Sequence, residues 1–191
     1  MPTETLIPLV VVVVAVGVPL LWFIGTYNAL VRLRQHVAES WSGIDTELKR
    51  RYNLIPNLVE TVRGYAAHEQ AVLEEVIRAR QQAVASTGSA GSQSRDENQL
   101  VGALQHLFAV VEKYPDLKAS EHFFQLQQEL VNTEDRIQAA RRFFNANVRD
   151  LNNRVQMFPS SLVAQMFGFE EGEYFEVQNA CARQAPQVTM A

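Results

Sequence analysis

His68-Glu69 begins as a zinc-protease helix begins, where a second histidine four residues on would complete the ligand pair. That position holds Val72, so the second ligand is missing. His36, His106 and His122 have no glutamate three residues earlier, which removes the carboxylate–histidine pairing of di-iron bundles. No G-x-S-x-G elbow, phosphate-cradling glycine loop or dinucleotide fingerprint occurs. Cys181 lies in an acidic tail with no helical environment to lower its thiol pKa. The expectation is therefore no catalytic residue, no cofactor and no metal, with each histidine at a surface or an interface.

The residues that remain informative are charges at positions that should be apolar. Trp41, Leu48, Ile55, Val62 and Val76 fall on one seven-residue series, and Ile44, Leu58, Tyr65, Val72 and Ala79 fall on its companion. Together they make a coiled-coil-like seam. Arg51 and Glu69 fall on that seam. A core charge costs desolvation unless it is paired, so each should have a partner or a functional reason. Pro56 lies inside the pattern with the same phase on both sides, which predicts a kink in one long helix ending near Ala85 rather than a reversal. Lys49-Arg50-Arg51 is the densest basic cluster, a solvated helix face with anionic lipid as an alternative contact.

The elements that must position these residues start with an anchor. Leu6 to Ile24 is a run without one charged side chain, and as a helix it covers about 28 Å, the thickness of a bilayer's hydrocarbon core. Trp22 and Tyr27 sit at its C-terminal end as interface aromatics, with Arg32 and Arg34 following. No basic side chain precedes the run, so residues 1–5 should face out and the bulk of the chain the cytoplasm, the opposite side being the alternative. Pro19 should kink the span over 6–27. The formal net charge of −4 argues against a nucleic-acid partner, and a single cysteine excludes intrachain disulfides.

Beyond the first helix, STGSAGSQS (Ser86 to Ser94) predicts a flexible loop over 86–96. Ser94 with Glu97 is spaced as a capping box that would start the next helix. Leu100, Leu104, Leu107, Val111 and Tyr114 make its apolar stripe, widened by Val101 and Phe108, and Tyr114-Pro115-Asp116 signals a turn. Phe123, Leu130, Ile137, Phe144, Leu151 and Phe158 then recur every seven residues, a helix of roughly 36 residues that Pro159 stops. The fold class expected is all-α: an N-terminal transmembrane helix, then an antiparallel three- or four-helix bundle over 28–167 with long helices. Residues 168–191 should form a mobile acidic tail in which Tyr174 and Phe175 are aromatics suited to docking.

Tyr27-Asn28-x-Leu30-Val31, Trp41-Ser42-x-Ile44-Asp45 and LKRRYNLIPNLVETVRGYAAHE (Leu48 to Glu69) resemble the signature of the LemA family of bacterial membrane proteins. YPDLKASEHFFQLQQELVNTEDRI, ARRFFNANVRDLNNRV and FPSSLVAQMFGF resemble its C-terminal half, and one departure is Glu170-Glu171-Gly172-Glu173, where the family would be more basic or proline-containing. The resemblance implies a single span, a helical bundle and no established enzyme activity. It also implies a membrane-associated structural or adaptor component, linked in some members with a membrane zinc protease or with organelle-like membrane remodelling. The leading expectation is a membrane-anchored scaffold that self-associates as a homo-oligomer, touching lipid through its span and another membrane protein, such as a protease, as a further partner. A membrane-shaping, lipid-contacting oligomer and an enzyme of unknown reaction are the alternatives.

Overall fold

The computed structural model describes residues 3–176. Met1, Pro2 and residues 177–191, Cys181 among them, lie outside the described residues. Among the described residues there are six helices and no strand: α1 Thr3–Tyr65, α2 Gln70–Ala85, α3 Ala90–Val111, α4 Pro115–Lys118, α5 Glu121–Gln156 and α6 Ser160–Met166. The all-α expectation holds. The seven-residue repeat locates α5 well: it has 36 residues and stops just before Pro159.

The chain forms two units, each with its own core. The first comprises residues 3–42 with 143–172. Here the N-terminal part of α1 carries the apolar run, in which Val11, Val13, Val14, Val16, Val18, Leu20 and Leu21 stand exposed around the helix. This is the helix among the described residues that is long and apolar enough to cross a membrane. It stays helical through Pro19. Past the apolar run, Leu30 packs with Leu151, Val163, Ala164 and Phe169, and Tyr27, Leu33 and Val37 close over them. Trp41 lies edge-on to Phe144, ring centres 5.2 Å apart. The last part of α5 thus runs antiparallel to α1, and α6 folds back onto it.

The second unit comprises residues 43–142 with 173–176. It is a four-helix, up-down-up-down arrangement of the α1 segment, α2, α3 and the first part of α5. Ile44, Leu48, Ile55, Leu58 and Val62 of the α1 seam are buried, as their spacing requires. Three sequence expectations fail here, each for a tertiary reason. The first helix does not continue to Ala85: α1 ends at Tyr65, residues 66–69 turn, and α2 runs back along α1, with Arg80 reaching Tyr52. Val72, Val76 and Ala79 are buried as the seam expected, but on a different helix. A heptad phase carries through a reversal when the same apolar spacing serves two helices.

The second failure is the loop. α3 starts at Ala90, not after residue 96, so the connection shrinks to 86–89. The Glu173 carboxylate accepts the Gly91 N–H at 3.2 Å, placing negative charge at the positive end of α3 and extending the helix into a stretch whose composition is that of a loop. The third is the capping box. Ser94 and Glu97 lie inside α3, where Ser94 Oγ donates to the Glu176 carbonyl and Glu97 turns into the core. Pro115 behaves as expected: Tyr114 leaves the helical conformation, Pro115 opens α4, and the chain reverses into α5.

Candidate functional site

Arg51 is the centre of the second unit. At 2% exposure it is the largest fully buried side chain among the described residues. Its Nη2 donates to Glu97 of α3, itself 2% exposed, and its Nη1 donates to Glu134 of α5 at 2.8 Å. The Tyr52 hydroxyl donates to the other oxygen of Glu97. One guanidinium therefore faces two carboxylates, and three helices are tied to one point by charge-assisted hydrogen bonds. Burial raises the Glu97 pKa above its ordinary value, against the lowering effects of Arg51 and Tyr52. Burial and the neighbouring Glu97 charge also raise the Tyr52 pKa, so its hydroxyl keeps its proton and remains a donor.

Pro56 belongs to the same cluster by a different route. Proline has no N–H, so at a helix interior position the carbonyl four residues earlier loses its donor. In α1 that carbonyl is Tyr52's, and Arg80 Nε of α2 donates to it at 2.7 Å. The helix is therefore continuous through Pro56 instead of turning there.

The remaining sequence candidates separate from this cluster. Glu69 is not a seam residue. It sits half-buried at the start of α2, where the Tyr114 hydroxyl donates to it at 3.0 Å. That bond raises the Tyr114 pKa. Trp41 belongs to the first unit, against Phe144. Phe175, expected in a mobile tail, is wholly buried in the second unit's core, whereas Tyr174 beside it is exposed. The strap from Glu173 to Glu176 is held against α3, and the Glu173 pKa is lowered by hydrogen bonds from Ser89 and the Gly91 amide. The Lys49-Arg50-Arg51 cluster disperses: Lys49 pairs with Asp45 at 2.6 Å, Arg50 lies 3.9 Å from Glu47, and Arg51 turns inward. His36, His68, His106 and His122 are all exposed, and His106 meets Glu75 at 3.0 Å.

Tyr52, Arg80 and Glu134 are the cluster members that spacing alone did not single out, and Glu97 was singled out only as a helix cap. Glu97 had a legible signal, since it lies three residues before Leu100 and seven before Leu104, on the apolar stripe of α3. Arg80 had one too, because an interior proline requires a foreign donor. The arrangement ties α1, α3 and α5 together at one buried point. Among the described residues no group of three or more metal-ligating side chains converges.

At the anchor's C-terminal end the first unit surrounds α1 with aromatics. The Phe167 ring packs tilted against Tyr27, centres 4.7 Å apart, and against Phe23 at 5.8 Å, Phe169 lies 5.9 Å from Tyr27, and the Arg34 guanidinium sits 5.0 Å over Phe169. Asn152 and Gly172 close this unit with a reciprocal pair of hydrogen bonds.

This chain is similar to the magnetosome protein MamQ of Magnetospirillum gryphiswaldense, 28% identical over 179 residues that cover 81% of this chain and 66% of the relative. It is similar to MamQ 1 of Paramagnetospirillum magneticum at 27% with the same coverage, and to the protein LemA of Metamycoplasma hominis, 27% identical over 80% of this chain and 70% of that one. The chain thus spans just under two thirds of the length of the magnetosome relatives. Neither name is that of an enzyme. The LemA family model matches residues 40–190, which hold the Arg51 cluster, the Pro56 helix and both halves of α5, and the chain belongs to the LemA family.

Proposed function

We propose that this protein is a non-catalytic scaffold, anchored by α1 in a bacterial cytoplasmic membrane, whose helical domain associates with further copies of itself on the cytoplasmic side. The observation that carries this reading is on α5. Phe124 and Val131 lie one heptad apart on its outer face and are 61% and 50% exposed, an apolar stripe on a helix whose inner face is already satisfied. A common anchor holds every copy in one plane with one orientation, so weak lateral contacts add up. The buried Arg51 cluster supports the same reading, because it gives rigidity and register rather than an accessible reacting group. Another membrane protein, such as a protease, is a further partner that such a surface would suit.

Mass measurement of the full-length chain in detergent and in nanodiscs tests this. The expected result is a homo-oligomer that Phe124→Glu with Val131→Glu reduces to a monomer. A strictly monomeric mass over a wide protein concentration, in several detergents, removes self-association and favours a one-to-one adaptor. The side of the membrane is tested separately with Cys181. Labelling by a membrane-impermeant thiol reagent in intact spheroplasts would reverse the orientation.

A further inference from the structure

The end of α5 and the short α6 expose an unusual number of large apolar side chains for a region beside arginines. Phe158 is 79% exposed and Met166 69%, with Met157, Leu162 and Phe167 also outward. Leu162 and Met166 are four residues apart and share one face of α6, while Val163 and Ala164 fill the unit's core from the other. The region's depth relative to the anchor follows from contacts within the first unit. α5 runs antiparallel to α1, from Trp41 against Phe144, through the Asn147 amide on the His36 carbonyl, to Leu30 with Leu151. At Met157 it has reached the level of Ala29 and Leu33, whose groove it shares. The next residues, through α6, continue to Phe167 on Phe23 and Tyr27, at the end of the apolar run.

We propose that this elbow is a second membrane contact: Phe158, Leu162 and Met166 insert into the interfacial layer of the same bilayer that α1 crosses, beside the anchor. The apolar surface is continuous with that of the anchor. Just beyond it, the groove between α1 and α5 is bordered by Arg32, Arg154 and Asp150, and by His36, which lies 3.6 Å from the Glu39 carboxylate. Apolar side chains at acyl depth with basic ones at phosphate depth is the division expected of a helix lying in the interface. The contact would hold the first unit upright at a fixed distance from the lipid, and it does not depend on self-association.

The test uses the full-length chain in liposomes of phosphatidylethanolamine and phosphatidylglycerol. In a Cys181→Ser background, single cysteines Phe158→Cys, Leu162→Cys and Met166→Cys carry an environment-sensitive fluorophore. Phe143→Cys, exposed on the same unit some 20 Å back along α5, is the control. The expected result is blue-shifted emission, quenched by lipids spin-labelled near the headgroup, at the three elbow positions and not at Phe143. Emission and quenching at all three elbow positions equal to Phe143 would overturn the proposal. So would a blue shift without lipid quenching that grows with the protein-to-lipid ratio, which would assign the face to a second copy. Three separate positions, each checked for unchanged helicity, keep one misfolded variant from deciding the outcome.

Discussion

Arg80 Nε donates to the Tyr52 carbonyl at 2.7 Å, and that carbonyl is the one Pro56 deprives of its helical donor. The guanidinium on α2 thereby repairs a defect in α1, and α1 passes through the proline unbroken. A buried carbonyl left without a donor costs about 1–3 kcal/mol, so Arg80→Met should destabilise the fold by that amount. In a Pro56→Ala background the restored N–H can serve Tyr52, and Arg80→Met should then cost clearly less. A double-mutant cycle by chemical denaturation measures the coupling, and equal costs in both backgrounds would refute the repair.

Arg51 and Glu69 should behave very differently. Removing Arg51 leaves the Glu97 carboxylate buried without its counter-charge, a loss of about 3–5 kcal/mol. Glu69→Ala removes only the hydrogen bond that the Tyr114 hydroxyl donates to it, and should cost far less. Thermal unfolding of Arg51→Ala and Glu69→Ala should separate the two, and comparable losses would contradict the placement of Glu69 at the turn.

Stability should carry the signature of Glu97. Its folded pKa is raised by burial above its ordinary 4.5, so the folded state holds that proton longer than the unfolded chain does. The contribution is fully present below pH 4.5 and is lost as pH rises through the raised value. The stability difference between the natural chain and Glu97→Gln should therefore shift against the natural chain as pH rises from about 4.5. A shift in its favour would mean that Arg51 outweighs burial.

Asn152 and Gly172 bind one another as two peptide groups would: Nδ2 donates to the Gly172 carbonyl at 3.0 Å, and the Gly172 N–H donates to Oδ1 at 2.8 Å. Asn152→Ala should cost about 1–3 kcal/mol by orphaning both groups. Gly172→Ala would bring a methyl carbon to 3.3 Å from the Val148 side chain, which would have to shift to admit it. Hydrogen exchange at the Gly172 amide is the direct readout: protection should fall in Asn152→Ala.

Much of this molecule follows from local spacing. The charge-free run, the α1 seam from Ile44 to Val62, the length of α5 to its stop before Pro159, and the turn at Pro115 all depend on residues close in sequence, and all could be read there. Arg51 was legible as a buried charge for the same reason: its helix phase places it inside whatever packs against α1. That Arg51 meets Glu97 and Glu134 was not, since they lie 46 and 83 residues away and reach it only when α3 and α5 close on α1. The break at residues 66–69 has good helix formers and no proline, so propensity argues for continuation, and the packing of α2 back onto α1 overrides it. The start of α3 was hidden likewise, because the Glu173 carboxylate that stabilises its first turn comes from 82 residues away. Phe175 reads as a tail aromatic until the strap carries it into a core that the other helices must first build. Amphipathic spacing sets which face of a helix is buried; which helix covers that face, and where the chain turns to let it, is decided by the energy of long-range packing.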